Sequence, residues 1–390
     1  MKAVVFTLGC KVNESESDSL IRALTDRGYE VSDKLEPADI YIVNTCAVTG
    51  EAEKKSRQTV SRIKAISPNA KILFTGCAAQ NDPKAFSDKQ NVSVVTGTFN
   101  KARILDLLDG EGVFIDAEPK CFEEMPTVKT LRERGFIKAQ DGCNNFCTYC
   151  LIPYLRGRER SRSPQSVLNE ITVNGWKETV INGINLSSYD YEGVNLAGLL
   201  TFLKDVDTRI RLGSLEVGII TDEFLSAAKK MKNFAPHFHL SLQSGSDEVL
   251  KKMNRHYTAE EFYSAAALIR KYFPDAGITT DIIAGFPTET EENFNQTLDL
   301  IGRVEFSDIH PFTYSPRKGT VAYKFKDLSG DVKKARLNAL MQKKAELKSK
   351  FVQKNVGKPL TVLIEEFKDG YSVGYTENYL RVYIPEKAEG

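Results

Sequence analysis

The sequence is poor in residues that would invite several common readings. It has four histidines and one tryptophan in 390 residues, and no cysteine between Cys150 and the last residue, Gly390. The histidines, His237, His239, His256 and His310, show no paired metal-binding spacing with a carboxylate. No run of eighteen apolar residues occurs, so no transmembrane helix and no membrane partner are expected. The formal net charge is only +1, so any affinity for nucleic acid must come from local patches and not from a global field. The apolar run before Lys11, Asn13 and Glu14 is too short for a signal peptide and reads as a first strand. A cytoplasmic protein is therefore expected. In that reducing compartment, seven cysteines point to metal binding or catalysis more than to disulfides.

What is present concentrates at Asp141–Cys150, where Cys143, Cys147 and Cys150 form a C-x3-C-x2-C array. Thiolates are the usual ligands of iron–sulfur clusters, and three of them hold three corners of a [4Fe–4S] cluster while one iron stays open. An open iron binds a small chelating ligand and passes it an electron. The alternatives are a structural zinc site or a disulfide framework. Zinc normally takes four ligands in two pairs, and no histidine lies within 80 residues of the array. With the aromatic Tyr149 just before its third cysteine, the array resembles the signature of the radical S-adenosylmethionine (radical SAM) enzymes.

Residues 1–115 alternate strand and helix patterns: strands at Ala3–Leu8, Asp39–Val43, Lys71–Thr75 and Val92–Thr96, helices at Ser15–Arg27, Glu51–Ile66 and near Lys101–Leu108. Such alternation predicts a parallel sheet with right-handed crossovers. Cys10, Cys46 and Cys77 each follow one of the first three strands. All carboxyl ends of a parallel sheet lie on one edge, where α/β proteins bind ligands. Three cysteines far apart in sequence are thus expected at one spot, as a second three-cysteine cluster site. The alternative is three separate buried cysteines, since free cysteine is often core.

Residues 116–135 read as a linker, with Cys121 off any strand end and unligated. In 136–326 six candidate strands, Phe136–Gln140, Thr179–Asn182, Arg209–Leu212, His237–Leu242, Ile278–Ile283 and Ser307–Tyr314, alternate with helices. That predicts a partial (β/α)6 barrel with function at the carboxyl ends of its strands. Polar residues recur there: Gly183, Ser214, Glu216 and Gln243 are candidates for ligand contact. Residues 327–356 form a lysine-rich helix, and 357–390 carry two β-like runs, Leu360–Glu366 and Tyr371–Ile384, around the turn Lys368-Asp369-Gly370. Two basic clusters, Lys54, Lys55 and Arg57, and Arg156, Arg158 and Arg160 with Arg162, suit contact with a phosphate backbone. The alternative for them is ordinary solvated charge with local acidic partners. The fold class is thus α/β: a parallel-sheet domain, a partial barrel and a small β domain.

Several segments together resemble the radical SAM methylthiotransferases. They are Thr7-Leu-Gly-Cys-Lys-Val-Asn13 with Glu16-Ser17, Asn44-Thr-Cys-Ala-Val-Thr49, Thr75-Gly-Cys-Ala-Ala-Gln80, the Cys143–Cys150 array, Leu240-Ser-Leu-Gln-Ser-Gly-Ser-Asp247 with Met253 and Arg255, Asp281 with Gly285-Phe-Pro287, and Tyr314-Ser-Pro-Arg-Lys-Gly-Thr320. The resemblance covers nearly the whole chain. The residues around Cys10 and Cys46 are most similar to those of the enzymes acting on N6-threonylcarbamoyladenosine (t6A) in tRNA. Gly213 and Val217 depart from the serine and proline more usual in the family.

The resemblance implies an enzyme with two [4Fe–4S] clusters, one on Cys143, Cys147 and Cys150 and one on Cys10, Cys46 and Cys77. It implies two SAM molecules, with Tyr149, Gly183, Ser214, Glu216 and Gln243 as SAM contacts. A deoxyadenosyl radical would take hydrogen from C2 of the adenine at tRNA position 37, and sulfur and methyl would be added there. It also implies an electron donor such as a flavodoxin or ferredoxin, a monomer, and a C-terminal β-barrel (TRAM) domain gripping tRNA. Residues 357–390 leave room only for a short or truncated one. The other readings are methylthiolation of another tRNA base or of a ribosomal-protein side chain, and a non-catalytic iron–sulfur scaffold that binds RNA.

Overall fold

The computed structural model describes residues 1–125 and 133–388. Residues 126–132 of the expected linker lie outside the described residues. The chain divides into two compact units: Met1–Leu131 with Phe136–Asn144 and Cys150–Asn174, and Arg132–Gly135 with Asn145–Tyr149 and Gly175–Gly390. Among the described residues no helix is long and apolar enough to cross a membrane.

The first unit opens with β1 (Lys2–Thr7), α1 (Lys11–Asp26), β2 (Glu30–Ser32), β3 (Ile40–Thr45), α2 (Gly50–Ile66) and β4 (Lys71–Gly76). It continues with α3 (Cys77–Asn81), α4 (Lys84–Ser87), β5 (Val92–Thr96) and β6 (Gly112–Phe114). The six strands form one sheet in the order β2-β1-β3-β4-β5-β6, parallel throughout. Its central strands are near-continuous apolar runs because both faces are covered. Val4, Tyr41, Val43, Ile72, Phe74 and Val95 face one core with Val60, Ile63 and Phe86. Ala3, Val5, Ile40, Ile42, Leu73 and Val94 face the other with Leu20, Leu24 and Ile104. The expected parallel sheet is therefore present. β2 and β6 escape sequence reading because three residues carry too little periodicity. The helix expected near Lys101–Leu108 is a 3-10 turn over Lys101–Asp106, entered through the left-handed Asn100 (φ 48°). Later in the chain come β7 (Arg134–Asp141), α5 (Ile152–Arg156), β8 (Arg160–Ser161) and α6 (Pro164–Asn174), with β7 and β8 antiparallel.

The second unit contains β9 (Glu178–Gly183), β10 (Asp190–Tyr191), β11 (Val194–Asn195), α7 (Leu196–Phe202), β12 (Arg209–Leu212), β13 (Ser214–Leu215) and α8 (Asp222–Lys230). It goes on through β14 (His237–Leu240), α9 (Asp247–Lys252), α10 (Ala259–Tyr272), β15 (Gly277–Ala284), α11 (Glu291–Val304) and β16 (Asp308–Thr313). β9 and β12 are parallel, and β13-β14-β15-β16 form a parallel sheet. The helices start where local chemistry dictates. Thr258 and Glu261 form a reciprocal capping box on α10, and Thr290 with Asn293 does the same on α11.

The lysine-rich segment is α12 (Gly330–Asn355), capped by Ser329. After it β17 (Val362–Lys368), β18 (Tyr371–Thr376) and β19 (Arg381–Ile384) make an antiparallel sheet. Asp369 and Gly370 both have positive φ (52° and 85°), as a two-residue type I′ hairpin requires. The single run expected over Tyr371–Ile384 is two strands, because the chain reverses at Tyr379 (φ 74°).

Buried charge ties this small sheet into its unit. Arg211 donates to the carbonyls of Thr376 and Glu377, both at 3.1 Å, and lies under the Tyr379 ring at 4.7 Å. Glu178, fully buried, pairs with Arg134, Arg209 and Arg211 at 2.6–2.8 Å.

Candidate active site

In the first unit the strand ends behave as the alternation predicts. Thr45 is paired with Gly76 and Thr7 with Asn44, so Cys46 and Cys77 leave neighbouring strands at the same level, and Cys10 leaves the strand beside them. Gly76 has φ +95°, and a Cβ there would meet Asn44 Oδ1 and Thr45 O at 2.6 Å. Only glycine lets the backbone turn Cys77 in at this point. Asn13 and Asn44 lock the loops: Asn13 Nδ2 donates to the Leu8 and Thr45 carbonyls at 2.9 and 3.0 Å, and Asn44 Nδ2 donates to the Asn13 carbonyl at 3.0 Å.

The three thiols sense one another. Burial pushes Cys46 up to about 11; the Val48 N–H and Arg156 oppose the rise, while Cys77 and Cys10 add to it. Burial also raises Cys10, against the lowering effect of Arg156, although Cys10 as a residue is exposed. Such thiols hold their protons until a metal displaces them.

Beneath these loops lies a buried ionic network. Arg156 Nη1 donates to Glu16 Oε1 at 2.9 Å and Asp141 Oδ1 at 3.1 Å, and its Nη2 to Asn13 Oδ1 at 2.9 Å. Lys138 Nζ reaches Glu16 at 3.1 Å and Asp141 at 3.0 Å, and Lys101 pairs with Glu16. Burial alone would raise both carboxyls, but the cations outweigh it. They hold Asp141 at about 2 and Glu16 well below the usual range. Asp141 precedes the central array, and its carboxylate receives the Gly142 N–H at 2.9 Å. Gly142 has φ +76°, and a Cβ would overlap the Arg158 carbonyl oxygen. Cys143 N donates to the Gly157 carbonyl at 3.0 Å, and Cys150 Sγ receives the Ile152 N–H at 3.4 Å.

In the second unit the middle of the array is pinned. Asn254 Nδ2 donates to the carbonyls of Asn145 and Phe146, and Thr148 bonds Met253 and Lys252 through its N–H and hydroxyl. Arg255 Nη1 donates to Cys147 Sγ at 3.4 Å, and its Nη2 pairs with Glu216 Oε1 at 2.9 Å. Asn145 Nδ2 donates to the same Glu216 oxygen at 2.8 Å. Tyr149 packs edge-on to Phe286, with ring centroids 6.4 Å apart.

The sheet β13–β16 has a buried apolar face (Leu240, Leu242, Ile282, Ala284, Ile309) and a more accessible one. Glu216 and Gln243 are half-buried and follow the carboxyl ends of β13 and β14; Ser214 is exposed and opens β13, and Gly183 ends β9. Gln243 has φ +65°, held by its N–H to Asp281 O and its carbonyl to Ile283 N, both 2.9 Å. A non-glycine residue in that region marks stored strain of about 1–3 kcal/mol, of the kind that clusters at ligand sites.

Among the described residues no three His, Cys, Asp or Glu side chains form a ready-made cage for a single metal ion. Three thiols are a donor set that iron–sulfur clusters take.

One part of the RNA expectation needs correction. Arg156 is 1% exposed and Arg160 7%, and both guanidiniums are spent inside, Arg160 on the Arg158 and Arg156 carbonyls. They are not surface contacts. Of this cluster only Arg158 faces solvent. Lys54 and Lys55 are exposed and Arg57 half-buried, with Lys55 and Arg57 paired to Glu51 and Glu53 one turn away. A hollow of about 560 Å³ at the opposite edge of the first sheet, lined by Asn69, Lys71, Asn91 and Glu111, includes no cysteine.

Residues 2–97 match the model of an uncharacterized protein family, UPF0004, and residues 137–301 that of the radical SAM superfamily. The chain is 37% identical to the threonylcarbamoyladenosine tRNA methylthiotransferase MtaB of Bacillus subtilis, over 98% of this chain and 90% of that protein. This chain belongs to the radical SAM methylthiotransferases. It is also 36% identical to a tRNA-2-methylthio-N(6)-dimethylallyladenosine synthase of Clostridium novyi, over 93% of this chain and 85% of that one. Its fold is similar to that of the radical SAM methyltransferase TsrM from Kitasatospora setae (TM-score 0.58, 15% identity, 80% of this chain and 75% of that one). In the methylthiotransferase frame, the residues that sequence reasoning left without roles are Asn145, Arg255, Glu16, Asp141, Lys101 and Lys138. Arg255 and Glu16 stood inside matching segments, but nothing in the sequence says which partners they find.

Proposed function

We propose that this methylthiotransferase modifies C2 of N6-threonylcarbamoyladenosine at position 37 of tRNA, using two [4Fe–4S] clusters and two SAM molecules. The observation that carries the reading is the relationship to MtaB along nearly the whole chain, together with two separate sets of three cysteines. Cys143, Cys147 and Cys150 would hold the SAM-binding cluster, and Cys10, Cys46 and Cys77 the second. When bound, these groups supply the electron that cleaves SAM to a hydrogen-abstracting radical, and the sulfur and methyl that replace the hydrogen.

The chain's own part is placement and exclusion of water. Arg255 orients Cys147 while Glu216 and Asn145 fix Arg255 and the array. Tyr149, Gly183, Ser214, Glu216 and Gln243 are the proposed SAM contacts. Lys54, Lys55, Arg57 and Arg158 are the proposed contacts to tRNA phosphates. Residues 1–115, 136–326 and 357–390 then serve as methylthiotransferase domain, radical SAM barrel and short TRAM-like RNA grip, joined by linker 116–135 and the lysine-rich helix 327–356. A flavodoxin or ferredoxin would deliver the electron, in the cytoplasm, to a monomeric enzyme.

A second reading, action on dimethylallyladenosine, has the C. novyi relative in its favour. The residues around Cys10 and Cys46 favour the first. The test is anaerobic turnover with SAM and reductant on tRNA bearing either modification, read by nucleoside mass spectrometry. A 2-methylthio product on t6A alone supports the proposal; product only on the dimethylallyl tRNA replaces it with the second reading.

A further inference from the structure

We infer that Arg156 is a positioning residue for an iron–sulfur cluster on Cys10, Cys46 and Cys77: its buried guanidinium compensates the charge of the three thiolates and sets how readily that site accepts an electron. The inference rests on the reading of those cysteines as cluster ligands.

Three observations carry it. First, Arg156 is held in place rather than merely near. Glu16 receives both of its Nη atoms, at 2.9 and 3.1 Å, and Asp141 receives Nη1. Its Nη2 also donates to Asn13 Oδ1 at 2.9 Å, and that same oxygen lies 3.7 Å from Cys10 Sγ. Second, Asn13, whose side chain Arg156 holds, braces the loops of two of the cysteines: its Nδ2 donates to the Leu8 carbonyl, two residues before Cys10, and to the Thr45 carbonyl, next to Cys46.

Third, cations gather here: Lys101 and Lys138 join Arg156 on Glu16, and Lys138 and Arg156 meet on Asp141. Arg156 Nε is also buried with no partner among the described residues, a donor left over beside this site. Unmatched buried donors cost enough that one here calls for an acceptor.

The electronic consequence follows from charge. A [4Fe–4S] unit on three thiolates is negative and gains one more negative charge on reduction by a one-electron donor. Fixed positive charge favours the reduced form and raises the reduction potential.

The test uses the full chain carrying Cys143→Ala, Cys147→Ala and Cys150→Ala, so that only the amino-terminal site remains. After anaerobic reconstitution with iron and sulfide, the site is titrated with dithionite and followed by the electron paramagnetic resonance of the reduced cluster. Arg156→Gln should shift the midpoint to lower potential, and Arg156→Lys should keep most of the parent's value. Lys101→Met removes a second cation of the same network and should lower the midpoint too. An Arg156→Gln protein that holds its cluster at the parent midpoint overturns the inference. If that variant fails to fold, Lys101→Met decides: an unchanged midpoint overturns the charge argument, a lowered one upholds it. If the parent assembles no cluster, the reading of the three cysteines falls, and the inference with it.

Discussion

Arg255 illustrates how much one side chain decides here. Its guanidinium touches Cys147 Sγ, Glu216 and the Ser241 carbonyl at once. Partners that orient a metal ligand typically matter by ~10–100-fold, so Arg255→Gln should lower SAM cleavage by roughly that factor. The assay is 5′-deoxyadenosine release; unchanged release would remove Arg255 from the site. The cysteines make a sharper pair of expectations. Cys77→Ala should abolish methylthiolation while SAM cleavage persists, and iron should fall by about four per chain. Cys147→Ala should abolish both. At this scale the sequence was most informative where chemistry needs a particular element, sulfur, at a particular spacing. It was least informative for arginines. Arg156 and Arg158 look alike in sequence, yet one is 1% exposed and the other faces solvent. Arg156 ends α5 and Gly157 turns the chain at φ 70°, which separates a core arginine from a surface one two residues on.

The turns and strand ends hold the next set of predictions. Gly142→Ala adds a Cβ that meets the Arg158 carbonyl at a left-handed φ. Because the obstacle is backbone, the loop must shift, and the variant should lose more than about 1 kcal/mol in chemical denaturation and assemble the array's cluster poorly. The small C-terminal sheet depends on Glu178. Burial would raise its pKa, but the Arg211 hydrogen bond and the charges of Arg211, Arg134 and Arg209 bring it to about 2. An unfolded glutamate titrates near ~4.3, so this group's stabilisation is complete above that pH and fades as pH falls toward 2. Glu178→Gln leaves three buried guanidiniums short of a charge, a loss on the order of 3–5 kcal/mol at neutral pH. Thermal unfolding should show the gap between parent and variant closing between pH 4.3 and 2; a gap independent of pH would rule out the ion pairs as its source. The element types were legible because the apolar runs in β1, β3 and β4 are local signals. The short strands β2, β6 and β13, and the 3-10 turn at Lys101, were not, since a few residues carry no period.

For the whole chain, the near-neutral charge sets the terms for binding a polyanion. With net charge +1, affinity for tRNA must come from patches. Arg158→Gln should reduce the salt dependence of tRNA binding by roughly one phosphate contact. Filter binding across salt concentrations measures this, and an unchanged slope would place the RNA elsewhere.

The sequence by itself determined the family, the two sets of three cysteines and the βα order, because thiolate chemistry and apolar periodicity are written in spacing. Only the tertiary structure decided what surrounds the sulfurs. Glu16, Lys101, the β7 pair Lys138 and Asp141, and Arg156 come from four separate segments and meet in one buried network. Asn145, Glu216 and Arg255 meet in another. Charge pairing is a property of distance through space, and separation along the chain carries no record of it.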